Sequence, residues 1–567
     1  MASISKKIKK GRPYYYAVEC KRVEGKPRIV WQKYLGTIGN IVKRADEARP
    51  PRPQHTVIFQ AGGVAALLGI AQRLDLLELI NQVAPKRDQG PSVGHYIVLA
   101  ALNRALAPTS KLQIAQWYEE TVLRRLWGLP KSAFSSQRFW DHMDRIEEED
   151  IEEIQERIVA RVEEVFGIDA GLLLYDTTNF FTFLATTNDR SDLARRGRNK
   201  QKRHDLRQLG LALLVTRDFQ IPLFHRLYRG NVPDVALLPE LGAELVERYK
   251  QVTGKMAEAT LVFDKGNVSD LAMEELAARA THFVAALPAN RCRDLLSTPR
   301  DKLSPIEAIP GTQALVTTQE HWGKTCRIAL VYTESFFTQQ LHGVTVNLVK
   351  CQKKLHDLAQ GLERWRKGKS RGKKPTLAGV RKSVARIVSP QFMKDLIKTD
   401  VKSGGRSGIP LLSYQVDHDA LRRLSVERLG RTVIITDHKD WDARRIVEAY
   451  RGLSAVEEVF KDMKNTEYLR FRPAYHWTDE KLRVHALYCV LALLLSSLAR
   501  KVALQAGVDL TLPALLKELS GIREVAVIYP PGTLAHRKDH MALSRMSSRQ
   551  KKLAEALEIG EALGTRG

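Results

Sequence analysis

The chain has 567 residues, and 90 Lys plus Arg against 64 Asp plus Glu leave a formal charge of +26. A hydrophobic content of 44% and a charged content of 27% are ordinary globular values, which excludes a mostly disordered or fibrous protein. The length leaves room for three or four domains of roughly 150 residues, and the positive excess points to a polyanionic partner, nucleic acid first.

The N-terminal MASISKKIKKGRPYYY lacks the apolar stretch of a secretory signal, so a cytoplasmic protein is expected. The runs YYYAVECKRV and PRIVWQKYLG around EGK predict a small β-hairpin over residues 1–50, closed by the Pro-rich linker ARPPRPQ. From about His55 to Val165 the apolar spacing is helical, predicting a helical domain that could bind DNA ends. Within it FSSQRFWDHMDRI resembles the second helix of a helix-turn-helix, with Ser135 or Ser136 as N-cap; a plain packing helix fits the same residues.

The next region, residues 168–290, opens with GLLLYDTTNFFTF, an apolar strand that carries Asp176 at its centre. Two β-rich runs follow, joined by a hairpin at Arg217-Asp218-Phe219-Gln220. A helix, the strand ATLVFDKGN ending on Asp264, another helix and the strand THFVAALP complete the region. This β-β-β-α-β-α-β order, with one acid on the first strand and another at the end of the fourth, is the outline of an RNase H-like fold. The expected class is therefore α/β in an α+β multidomain chain, with a catalytic domain split between 168–290 and 431–505.

Residues 291–430 read as an insertion domain with the strands ALVTTQ and TCRIALVYT, a long basic helix and a Gly-rich break at SGGRSGIP. After the strand RTVIITD, the segment WDARRIVEAYRGLSAVEEVFKDMKN predicts one long amphipathic helix, and HALYCVLALLLSSLARKVAL a second, buried one. The apolar run there is shorter than the roughly 20 residues of a membrane span. Residues 506–567 are weakly patterned and read as a C-terminal tail.

Five scattered cysteines, with no CxxC pair and no Cys/His cluster, argue against a disulfide scaffold and a structural zinc site, and fit a reducing cytosol. The charge is concentrated. Seven of the eleven residues from Arg364 to Lys374 are basic, as are seven of the thirteen from Arg195 to Arg207. Phosphate contact is the favoured reading of both runs, through Arg366, Lys367, Lys369, Arg371, Lys373 and Lys374 in the first; the acidic run Glu147–Glu153 reads as a solvated surface.

Cutting or joining phosphodiesters without a covalent intermediate is commonly the work of two divalent ions about 3.5–4 Å apart. Mg²⁺ takes oxygen ligands and keeps several waters, so a few carboxylates on rigid elements suffice. Asp176, inside an apolar strand, needs a partner to offset desolvation; a metal is one, and the neighbouring Thr177 and Thr178 hydroxyls are another. Asp264 could equally cap a turn. Tyr450, Glu457 and Lys464 are spaced seven and seven, which on one helix aligns a phenol, a carboxylate and an ammonium to within about 20°.

YDTT, FDKGN and the Tyr450, Glu457, Lys464 spacing resemble the DDE transposases of bacterial insertion sequences. The insertion-sequence-4 group with its Y-x2-R-x3-E-x6-K signature is the nearest, and within it the insertion-sequence-1634 type. GRPYYYAVECKRVEGKPRIVWQKYLG, LYRGNVPD and HALYCVLALLL look like the same family, so the resemblance covers most of the chain. It implies that Asp176, Asp264 and Glu457 hold two Mg²⁺ or Mn²⁺ ions. It further implies that Tyr450 and Lys464 contact DNA, and that the separation of 193 positions from Asp264 to Glu457 accommodates the family's inserted domain. The implied activity is cleavage at transposon terminal inverted repeats and strand transfer into target DNA, by a homodimer on paired ends, without a membrane and associated with the nucleoid when bound. The signature arginine is Leu453 here; Arg451 projects about 200° from it on a helix and is not taken as its substitute. A catalytically inactive DNA-binding repressor, or a nuclease of the same fold without strand transfer, are the other readings.

Overall fold

A computed structural model of the chain describes residues 2–564 except 24, 48–53, 87–88, 169–170, 186, 200, 234–235, 255–258, 473 and 530–539. The linker ARPPRPQ, Gln54 apart, and most of YPPGTL thus lie outside the described residues. The rest falls into two compact units, one made of 1–69, 112–135 and 502–567, the other of 70–111 and 136–501.

In the first unit, the expected hairpin is a three-stranded antiparallel sheet of β1 (Ala2–Lys9), β2 (Arg12–Val23) and β3 (Lys26–Gly36). The extra strand is ASISKKIK. Its two isoleucines, four apart among lysines and serines, are exposed and give no alternating apolar pattern, and Lys10 and Gly11, at φ 50° and 77°, make the reversal into β2. The region expected to be helical from His55 opens instead with a strand, β4 (His55–Gln60).

The second unit is built on a nine-stranded sheet. Chain order gives β5 (Leu172–Thr182), β6 (Arg207–Thr216), β7 (Pro222–Arg229), β8 (Thr260–Phe263) and β9 (His282–Ala286). It continues with β10 (Ser304–Pro305), β11 (Thr312–His321) and β12 (Lys324–Thr333). A separate pair, β13 (Ile397–Lys402) and β14 (Leu411–Val416), precedes β15 (Arg431–Thr436). Across the large sheet the order is β10-β11-β12-β15-β9-β8-β5-β6-β7, with β5, β8 and β9 parallel and the other pairs antiparallel. LGLALLV in β6 and TLVF in β8 are continuously apolar because both faces of the sheet are covered. The β6–β7 hairpin turns through Phe219 and Gln220, both at positive φ. Gly210 lies opposite Tyr228 there; a Cβ would stand 2.1 Å from that ring, so only glycine fits.

Alternation along β5 assigns the layers. Tyr175 faces the segment ending at Gly242, which leads into the helix Ala243–Thr253. Leu174, Asp176, Thr178 and Phe180 face the other way, where Gly452, Lys464 and Phe471 lie. That layer includes the helix Asp479–Gln505, which by length and composition could cross a membrane; 94% of its apolar window is buried.

Residues 291–430 are less separate than the sequence suggests, since β11 and β12 extend the main sheet through β15. The remainder has its own core. The 33-residue helix Glu334–Arg366 packs Cys351, Leu355 and Leu362 against Val380, Val384, Met393 and Ile397.

The last 60 residues belong to the first unit and do not form a tail. Arg523–Ile528 (β16) pairs with β4 and with His540–Leu543 (β17), and the buried Glu524 carboxylate accepts from Arg125 at 2.7 Å. This strand pairing joins positions more than 460 residues apart, a relation that local patterning does not carry.

Candidate active site

Parallel pairing of β5 with β8 sets Leu172 beside Thr260, Leu173 beside Leu261 and Leu174 beside Val262. The pairing stops there, and two residues further along each of the parallel strands stand Asp176 and Asp264. Asp176 is half-buried, with Oδ1 accepting the Thr177 backbone N–H at 2.8 Å. Asp264 is exposed just past the end of β8, and its Oδ1 accepts the Tyr450 hydroxyl at 2.9 Å.

The long helix expected from Trp441 to Asn465 is broken. It runs as Ala443–Arg451 and Leu453–Met463, with Gly452 between them. The break has a steric cause. A Cβ on Gly452 would stand 3.0 Å from the Ala449 carbonyl, 3.3 Å from Leu174 Cδ2 on β5 and 3.4 Å from Arg217, so the missing side chain lets the backbone close onto the sheet. The seven-and-seven stripe therefore does not lie on one straight helix, because Tyr450 precedes the break and Glu457 follows it.

The second helix nevertheless runs along the Asp176 face of β5. Its start touches Leu174; beyond its end Lys464 Nζ donates to Thr178 Oγ1 at 2.5 Å and sits 5.4 Å from the centre of the Phe180 ring. Glu457 lies between these anchors as Asp176 lies between Leu174 and Thr178. The helix buries Val456, Val459, Phe460 and Met463, so exposed Glu457 is at the margin of the packed face, with Leu453 half-buried. Tyr450 senses both acids. Burial first, then the Asp264 and Glu457 carboxylates, holds its hydroxyl far above the ordinary phenol range, so it remains a neutral donor.

Glu458 acts elsewhere. Burial chiefly, and Glu458 next, raise the Asp462 carboxyl to about 6, with Arg500 opposing. A carboxyl raised on folding stabilises fully below its unfolded value near 4, and that stability is lost as pH rises through 6. Asp462→Asn is therefore expected to gain about 1 kcal/mol at pH 7.5, after discounting for partial exposure, and nothing at pH 4. Chemical denaturation at the two pH values measures it; equal effects at both would remove the cause.

Arg451 donates to Thr312 Oγ1 on β11 at 2.7 Å and so is turned away from Leu453 and the carboxylates. Thr178, named in the sequence only as a possible partner of Asp176, accepts from Lys464. Ser136–Met143, the helix resembling a DNA reader, packs Phe139 and His142 on Tyr96, as a core helix does.

Arg366, Lys367, Lys369, Arg371, Lys373 and Lys374 are all exposed, at the end of the helix Glu334–Arg366 and just beyond it. That helix is about 50 Å long and leaves the sheet at the C-terminal end of β12, the edge on which Asp264 also lies. Lys367 pairs with Glu363 at 2.6 Å. In the second basic run Arg195 pairs with Asp192 and Arg203 with Asp205, which spends part of its charge internally; Lys200 lies outside the described residues. Neutralising the six residues of the first run should lower the log–log salt slope of DNA binding by four to five, at about 0.9 per phosphate contact. Preference among DNA sequences should barely change, since such contacts position and do not read bases. A titration series giving an unchanged slope would make this run a solvated surface.

No family model and no curated protein matches the chain. Among solved structures it is similar to piggyBac transposase in a synaptic complex with hairpin DNA, at 10% identity and a TM-score of 0.36, over 80% of this chain and 79% of that one. It is also similar to Mos1 transposase in a paired-end complex with the left transposon end, at 11% identity and a TM-score of 0.15, over 35% of this chain and 59% of that one. Likeness at this level is remote.

Proposed function

We propose that this chain is a DDE-type transposase of the insertion-sequence-4 group, cutting DNA at the ends of a mobile element and joining the freed 3′-hydroxyl to target DNA. The observation that carries the reading is the register of β5 on β8, which sets Asp176 beside Asp264, with the Glu457 helix laid along the same face. The strand order β7-β6-β5-β8-β9, with β8 and β9 parallel to β5, supports an RNase H-like core.

The donor set fits two hard divalent ions. All three side chains are carboxylates, the oxygen donors that Mg²⁺ takes while keeping several waters. Asp176, Asp264 and Glu457 would hold Mg²⁺ or Mn²⁺, which when bound supplies charge stabilisation at the attacking and leaving oxygens. The chain's own residues prepare that site. The Thr177 N–H orients the Asp176 carboxylate, and the Tyr450 hydroxyl orients that of Asp264. Lys464, fixed over β5 by Thr178 and Phe180, presents an ammonium to a phosphate beside the carboxylates. The exposed basic run would bind flanking backbone, and two copies would pair two ends. The test is to incubate the purified chain with DNA flanking its own coding sequence and Mg²⁺, then map strand breaks. Cuts at one fixed position on each side, absent with EDTA, are expected; binding without cuts favours a repressor, and cuts without joined product a nuclease.

A further inference from the structure

A second group of ligating side chains lies at the other end of the same strands. His282 opens β9, and Asp437 and His438 follow β15; one donor atom from each lies within 4.8 Å of the others. Thr260, which opens β8, is hydrogen-bonded to His438 Nε2 at 2.8 Å. Four residues of strand, about 13 Å, separate Thr260 from Asp264, so this group is distinct from the three carboxylates.

From this geometry we infer a binding site for one borderline transition-metal ion of the Zn²⁺ class, held by His282, Asp437 and His438. The donors decide the class. Two imidazoles and one carboxylate suit Zn²⁺ or Co²⁺, whereas Mg²⁺ takes oxygen. The supporting bonds are those that metal ligands need. Asp437 Oδ1 accepts the Phe283 backbone N–H at 3.0 Å, which fixes the carboxylate, and Thr260 Oγ1 lies 2.8 Å from His438 Nε2, a hydroxyl partner for that ring. Asp437 Oδ2 lies 3.1 Å from His282 Nδ1, a contact the ion would replace. A cleft of about 530 Å³ reaches both histidines, so an ion and a water ligand have access. Lys324 Nζ, 3.8 Å from Asp437 Oδ2, is the competing cation, on a long and partly exposed chain. The ion would tie β9 and β15 together where the chain returns from the 291–430 segment.

The His438 ring stacks on Trp441 at 4.0 Å and on His282 at 4.2 Å. Coordination requires the two imidazoles to turn their edges to one point, which alters the Trp441 stack, so Trp441 fluorescence reports binding. Tag-free, chelator-stripped full-length protein titrated with ZnCl₂ should bind about one ion per chain and change the tryptophan emission, a change that Trp441→Phe removes. Its melting temperature should rise by a few degrees, and a tenfold excess of Mg²⁺ should not displace the ion. His282→Ala and His438→Ala should each weaken binding at least about 100-fold, while Asp264→Asn binds as wild type does. Lys324→Met removes the competitor and should tighten binding several-fold, a gain that misfolding cannot imitate. Zn²⁺ affinity unchanged in both histidine variants, or unchanged in Lys324→Met, overturns the site.

Discussion

Asp176→Asn and Asp264→Asn are each expected to abolish Mg²⁺-dependent DNA cleavage while leaving DNA affinity within a few-fold. Each change removes one charge and one ligand oxygen but keeps side-chain volume, so the strands should be undisturbed. Asp264 is exposed beyond β8 and its loss opens no cavity. Asp176 is half-buried, and an asparagine oxygen still accepts the Thr177 N–H. Affinity survives because phosphate contacts come mainly from Lys and Arg, and the exposed run from Arg366 to Lys374 is untouched. Cleavage does not survive, because a two-ion site that loses a ligand misplaces an in-line attack, where about 1 Å costs about 100-fold. Gel assays of binding and cutting on the same labelled DNA separate the two effects. Full cutting by either variant would remove that residue from the site, and a large loss of affinity would mean that the aspartates shape the DNA-binding surface itself.

What could be read in the sequence divides by range. Asp176 stands out because a charge follows the apolar run LLLY, and Asp264 because it ends the apolar run LVF two residues before Gly266. Such signals are local. The register that sets the two side by side depends on β5 and β8 pairing across nearly ninety residues, and no periodicity states it. The same limit hid the pairing of β12 with β15, and the group of His282 with Asp437 and His438. Gly452 misled differently. A 3.6-residue pattern continues through AYRGLSAV as if the helix were unbroken, yet the glycine is there because Leu174 comes close to it, a fact of packing. β1 escapes for its composition: ASISKKIK reads as a solvated, charged run, and only its backbone pairing with β2 makes it a strand.

Glu457→Gln should lose cleavage by several orders of magnitude, and Glu458→Gln should stay near wild type. The two neighbours point about 100° apart on Leu453–Met463, and the packed face formed by Val456, Val459, Phe460 and Met463 lies between their flanks. Lys464, which caps the helix seven positions after Glu457, reaches Thr178 on the face of β5 that carries Asp176. The Glu457 flank is therefore the one turned to the aspartates, and the upward pull of Glu457 on the Tyr450 hydroxyl, alongside that of Asp264, agrees. Glu458 lies on the opposite flank, where it helps to raise Asp462. This gives Glu458→Gln a signature of its own. With one like charge gone, Asp462 should titrate lower, and the pH dependence of stability between 4 and 6 should flatten while cutting continues. Since both glutamates are exposed, neither change should unfold the chain. An active Glu457→Gln beside an inactive Glu458→Gln would reverse the assignment of the two flanks, and with it the placement of this helix over Asp176.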